Sequence, residues 1–161
     1  MEKALTLSDY RSMAEVRYQI RKFLHFSEQA SRSAGLEPRQ YQLLLAIKGL
    51  PPNVRPRIGE LAERLQILHH SAVELVNRLA AGGYVRRERG GQDRREVLLS
   101  LSPKGERTLR ELALHHRAEM RSTAPALASA LRKVVRGSRN SDARGTRRPA
   151  KARRVRKGRK K

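Results

Sequence analysis

The chain has no cysteine and no tryptophan, and its aromatic residues number two phenylalanines and four tyrosines. Without cysteine there is no disulfide, no thiol redox switch and no zinc site built on thiolates, which suits a reducing cytoplasm. No aromatic strand of the kind that stacks RNA bases is present, nor a GxxG clamp, so an RNA- or ribosome-associated factor lacks support. Long apolar runs are missing too. The longest is Leu43 to Ile47, far too short to span a bilayer. The opening MEKALTLSDYRSM lacks the apolar stretch of a secretory signal. Catalytic signatures are equally scarce: no Walker-type loop, no GxSxG, no HExxH and no clustered acid pair, so neither an enzyme nor a bound cofactor is expected. The histidines fall as adjacent pairs, His69-His70 and His115-His116. Helix neighbours point about 100° apart, so neither pair chelates one ion and no metal is expected.

Acid is the last thing in short supply. Fifteen Asp+Glu face 37 Lys+Arg, a formal net charge of +22. Such an excess favours a polyanionic partner, with no membrane span to make that partner a bilayer. The charge is uneven. Residues 136–161 hold 13 Lys+Arg and one acid, Asp142. From Gly137 apolar residues nearly vanish, so 137–161 reads as a disordered basic tail after a folded unit at 1–136. The tail suits a non-specific clamp on phosphate backbones.

Within 1–136 the periodicity predicts a mainly α chain with one small β-hairpin. A helix over 9–33, capped by Ser8, places Met13, Val16, Ile20, Leu24 and Ser27 at helical spacing and stops at Gly35. Pro38 opens a second helix to Gly49, and a three-proline loop follows. Two short amphipathic helices come next, 58–66 and 69–81, ended by Gly82-Gly83. Residues 84–89 and 94–101 read as strands, with Val97, Leu99 and Leu101 alternating. Ser102 caps and Pro103 opens a fifth helix to about Ser122. Pro125 marks a break before a further helix to 136.

Helix, turn, helix and basic hairpin in that order make a winged helix-turn-helix. The recognition helix would be about 69–81, set in the major groove, with the wing, about 84–101, in the minor groove. Opposite the apolar stripe of that helix lie His70, Val73, Glu74 and Asn77, with His69 and Ser71 flanking them near its N-terminus. His69, His70, Ser71, Val73 and Glu74 are the direct-readout candidates, since base edges are met chiefly by the first turns. Arg78 pairs with Glu74 at i,i+4, and that pair also reads as simple surface decoration. At the wing tip Arg94 and Arg95 suit a minor groove, whose negative potential attracts arginine. Asp93 would be repelled by phosphate and reads as holding Arg95 in shape. The terminal helices are too long and apolar for this small core, which predicts a homodimer. The competing reading is a nucleoid-type architectural protein with little sequence specificity.

Three strings, IGELAERL, HHSAVELVNRLAAGGYVRRE and DRREVLLSLSPKG, are similar to the MarR family of bacterial transcriptional regulators, and the resemblance extends over about residues 10–135. It implies a cytoplasmic, nucleoid-associated homodimer joined through its terminal helices, a repressor on double-stranded DNA with a pseudo-palindromic site. It also implies that Arg95, oriented by Asp93, reaches the minor groove with Arg94 beside it. Many relatives respond to a small aromatic effector between dimer helices and winged core. Tyr18, His25, Tyr41 and Gln42 are the candidates to line such a site, although each alone reads as packing or surface. The chain departs from the family where Arg57 and Leu68 replace the usual small polar caps, where His-His stands in the recognition helix, and in its basic tail.

Overall fold

The computed structural model describes residues 5–90 and 96–144, the side chains of 137–144 excepted. Five helices and one hairpin follow each other: α1 (Leu7–Ser33), α2 (Pro38–Lys48), α3 (Ile58–Leu65), α4 (His69–Ala81), β1 (Val85–Arg89), β2 (Val97–Leu101) and α5 (Pro103–Arg144). The fold is a winged helix-turn-helix carried on two long terminal helices.

Local chemistry sets the boundaries. Thr6, not Ser8, caps α1. The Thr6 hydroxyl accepts the Asp9 amide while the Asp9 carboxylate accepts the Thr6 amide, so two orphan donors are satisfied where Ser8 offered one. The Thr6 hydroxyl and then its amide hold the Asp9 carboxyl below its ordinary range. At α2, Gln40 Oε1 accepts the Glu37 amide and Pro38 opens the first turn. Three helices end alike. After α1 the Leu36 amide reaches back to Ser31 and Gly35 to Arg32; after α3, Ile67 reaches Ala62 and Gln66 reaches Glu63; after α4, Tyr84 reaches Leu79 and Gly83 reaches Ala80. Each closure puts one residue in the left-handed region, Gly35 at φ 74°, Gln66 at 52° and Gly83 at 72°.

The core lies between α2, α3, α4, the hairpin and the first turns of α5. Leu43, Leu44, Leu61, Val76, Leu79 and Leu99 are fully enclosed, and Leu109 and Leu112 close it from α5. Of the alternating β2 residues Leu99 is buried and Leu101 half-buried, but Val97 near the tip is exposed.

The expected break at Pro125 does not occur, and α5 continues through it to Arg144. A helical proline removes one hydrogen bond and crowds the preceding turn, at about 3 kcal/mol. Here Ser122 and Thr123 hydroxyls both donate to the Glu119 carbonyl just before it. Beyond the proline an alanine-rich stretch of high helix propensity lies along α1, where Ala130 is buried and Ala126, Ser129 and Ala130 share a cleft with Ser8 and Ser12. The two helices run antiparallel, because Ser27 of α1 meets His116 of α5 at the other end of the same contact.

Candidate nucleic-acid interface

The string LSLSPKG joins the recognition helix, the wing and α5. Buried Ser102 accepts the Gly105 amide at 3.0 Å, capping α5, and donates to the Gly83 carbonyl at the end of α4. Its own amide donates to the Tyr84 carbonyl at 2.9 Å. Lys104 Nζ donates to the Gly82 carbonyl at 2.8 Å and sits 4.2 Å above the Tyr84 ring. A cation there complements the negative C-terminal end of α4. Gly105 passes so close to the Tyr84 carbonyl that any β-carbon would overlap it.

The wing is tied down at two further points. Across the hairpin Val85 faces Leu101, Arg87 faces Leu99 and Arg89 faces Val97. Arg87 donates to Asn77 Oδ1, linking wing to recognition helix. At the wing base Glu96, its side chain 8% exposed, accepts from both Arg55 and Arg57. The Leu99 amide donates to the Pro56 carbonyl at 2.9 Å, so the loop before α3 runs beside β2. These ties fix α3, α4 and the wing as one rigid head. Sequence reasoning missed Arg55, Arg57 and Glu96. The available signal was an acid directly after Arg94-Arg95, but its partners lie about forty residues away in sequence and pair with it only through the fold.

The recognition-helix candidates fall into three settings. His69 and His70 are exposed in the first turn of α4, next to Leu68, a large apolar residue left 67% exposed. Val73 is half-buried on one flank. Ser71, Glu74 and Arg78 lie on the other flank and line a cleft of about 620 Å³, facing Glu28 and Arg32 of α1 and Glu37 and Arg39 near the start of α2. Neither α3 nor α4 has a side-chain cap, consistent with Arg57 and Leu68 at those positions. Asp93, Arg94 and Arg95 lie outside the described residues.

The four effector candidates occupy different environments. Tyr18 and His25 are exposed on α1, Gln42 lines the cleft beside α4, and Tyr41 is buried. Burial pushes the Tyr41 hydroxyl above its ordinary pKa. Its ring stacks on His116 with centroids 4.4 Å apart. His116 is itself buried, its Nδ1 2.7 Å from the Leu112 carbonyl and its Nε2 2.7 Å from Ser27 Oγ. Since a carbonyl only accepts, Nδ1 carries the proton and Nε2 accepts from the Ser27 hydroxyl in the neutral ring. This cluster pins α1, α2 and α5 together.

Comparison with known proteins agrees with this architecture. Residues 34–96 match the MarR family model. A structure of AbsC, a MarR family transcriptional regulator from Streptomyces coelicolor, is similar with a TM-score of 0.63 and 25% identity, covering 90% of this chain and 100% of that one. CouR, a transcriptional repressor bound to a 23-mer DNA duplex, has a TM-score of 0.58 and 26% identity, covering 83% of this chain and 99% of its own. A mutant MarR from E. coli complexed with operator DNA shares the fold at 18% identity and a TM-score of 0.57, covering 74% of this chain and 89% of its own. No curated protein matches the chain. Family model, fold and the three sequence strings coincide on the winged core, and over that core the chain is similar to the MarR family.

Proposed function

We propose that this chain is a dimeric, sequence-specific DNA-binding transcriptional regulator, acting as a repressor. The observation that carries the reading is the rigid head: an uncovered His69-His70 turn beside an arginine-rich wing, the two linked by Arg87 and Asn77. A helix held in fixed relation to a wing presents both to adjacent grooves in one register, as sequence readout requires. CouR and the E. coli protein, both crystallised on DNA, share this fold. His69, His70, Ser71, Val73 and Glu74 are assigned to the major groove, with Arg78 at its edge, and Arg94 and Arg95 to the minor groove, with Asp93 orienting Arg95. The cleft beside Gln42, Ser71 and Arg78 would take a small aromatic acid, where binding bears directly on the flank of α4.

The dimer is assigned to the terminal helices. Tyr10, Met13, Ile20 and Leu24 on α1, with Met120, Leu131 and Val135 on α5, leave apolar surface outside the α1–α5 contact. A second copy would cover it.

The test is selection of duplexes from a random pool, then affinities for the selected and a scrambled duplex at several salt concentrations. A specific regulator prefers its site by roughly 10³ or more. A ratio near one would replace this reading with the architectural protein that the +22 charge also suits. On the selected duplex Arg95→Ala should cost about 1–3 kcal/mol. Asp93→Ala should lose part of that, although removing a negative charge alone would tighten binding. Tighter binding would refute the orienting role of Asp93.

A further inference from the structure

Among the described residues, the most exposed large apolar side chain is not on the terminal helices. It is Leu68, 67% exposed at the entry to α4. Leu7 and Val135, next in order, lie on α1 and α5. Ile67, one residue earlier, packs against the core, so the chain turns outward at Leu68. Its backbone there is extended, φ −67° and ψ 148°, and its carbonyl accepts the Ala72 amide at 3.1 Å. Leu68 therefore holds the N-cap position, where serine or asparagine would accept an amide of the first turn. Leucine has no acceptor to offer, and α4 has no side-chain cap. In the free chain Leu68 supplies neither a cap nor packing.

What lies in front of Leu68 follows from its neighbours. His69 and His70 come directly after it and are exposed as well. The helix that carries all three is tied to the wing through Asn77 and to α5 through the Gly82 carbonyl. Its first turn is thus presented as part of a fixed head. A duplex that meets His69 and His70 in its major groove meets Leu68 beside them. That groove displays donors and acceptors on every base, and its one apolar group is the C5 methyl of thymine. Val73 is the other apolar residue of the reading set, but it is half-buried on a flank of α4 and has the smaller side chain.

We propose that Leu68 is a specificity-determining residue, packing on the methyl group of a thymine at one position in each half-site of the operator. The inference rests on the DNA-binding reading of the head and adds to it one base that the site must contain. The contact is apolar, so it discriminates without releasing counterions, unlike a contact to phosphate. Each methyl removed from such a contact should lower affinity by about fourfold, the value of one buried carbon.

The experiment starts from the duplex selected by the full chain. Each thymine in turn is replaced by deoxyuridine, in both half-sites at once, which removes the methyl and keeps every hydrogen-bonding group. Affinities of the full chain and of Leu68→Ser are measured on each pair of duplexes. At one position the full chain should lose about sixteenfold, fourfold for each methyl. Leu68→Ser should bind the thymine and uracil forms of that position alike. Serine is a preferred N-cap, so this variant should unfold no earlier than the full chain. The thymine-to-uracil ratio of the full chain should hold as salt rises, while both affinities fall. The proposal is overturned if no thymine methyl matters, or if both proteins lose equally at each position. It is overturned too if Val73→Ala abolishes the uracil penalty and Leu68→Ser keeps it, since the methyl then belongs to Val73. A pool from which no duplex is enriched rejects the reading of the head and this assignment with it. An enriched duplex without a thymine that depends on Leu68 rejects the assignment alone.

Discussion

The head and the helical stalk of this protein are held together by opposite means. In the head, large aliphatic side chains interlock and the C-terminal ends of α3 and α4 are closed by backbone hydrogen bonds. In the stalk, Val16 and Phe23 of α1 and Leu127 and Val134 of α5 are only half-buried, and Tyr10, Met13, Ile20, Leu131 and Val135 are exposed. A head of this kind is complete within one chain. On the dimer proposed above a second copy completes the stalk, so substitutions in the two regions should fail differently: in the head by unfolding, in the stalk by loss of association.

The largest effect is expected at Gly105. A β-carbon there overlaps a backbone carbonyl, which cannot move aside as a side-chain tip can. Gly105→Ala should destabilise the chain by about 3 kcal/mol, the upper range for overpacking. Helix propensity alone predicts a gain of up to about 1 kcal/mol. Urea midpoints decide, and unchanged stability would show that the head tolerates separation of α5 from Tyr84.

In the stalk the corresponding test is Ile20→Lys. Ile20 is 42% exposed in the single chain, so the fold should change by no more than about 0.5 kcal/mol. If a second copy covers it, dimer dissociation should ease by about 2 kcal/mol, the value of burying one such side chain. Sedimentation across a concentration series measures this. Unaltered association would put the interface elsewhere and remove the contrast between head and stalk.

The sequence reveals these regions unequally, for a physical reason. Helix-turn-helix and wing are legible because their signals are local: a 3.6-residue period in α4, period two in β2, glycines at the breaks. Ser102, Pro103 and Gly105 are recognisable as a helix start, but that Ser102 also reaches Gly83 depends on how α4 and α5 pack. The trio of Glu96, Arg55 and Arg57 is non-local, and charge runs alone read as solvated surface. Pro125 misleads because its cost is local while its compensation, packing along α1, lies more than a hundred residues away. His116 is legible in the sequence only as half of an adjacent pair, and only the fold shows Ser27 and Tyr41 against it.

A smaller effect is expected at Glu96. Glu96→Gln removes the charge that two half-exposed arginines share, and solvent discounts the loss to about 1 kcal/mol of stability. The variant also frees two cations and raises the net charge by one, so simple attraction to phosphate predicts tighter DNA binding. If the wing must be held at its base, binding to the selected duplex should instead weaken while scrambled duplex gains. A gain on both would show that the wing works as charge alone, and the head would lose the rigidity that sets it apart from the stalk.

The smallest effect belongs to Gln66→Gly, at the one strained residue between α3 and α4. Among the described residues it alone is a non-glycine at positive φ. The left-handed region costs an L-residue roughly 1–2 kcal/mol, which glycine avoids. Part of that is returned by Gln66 Nε2, which donates to the Glu63 carbonyl at 2.7 Å, an exposed bond of about 0.5 kcal/mol. Glycine also brings a more flexible unfolded chain, at about 0.5 kcal/mol or more. These terms nearly cancel, so Gln66→Gly should raise stability by no more than about 0.5 kcal/mol. Gln66→Val loses the same hydrogen bond, gains no freedom in φ and adds a branched β-carbon, so it should cost about 1–2 kcal/mol. The two variants measured together by thermal unfolding separate backbone strain from side-chain loss. Equal losses in both would mean that the amide of Gln66, and not its backbone, makes this turn, and that the head closes α3 by a side chain where it closes α1 and α4 by glycine.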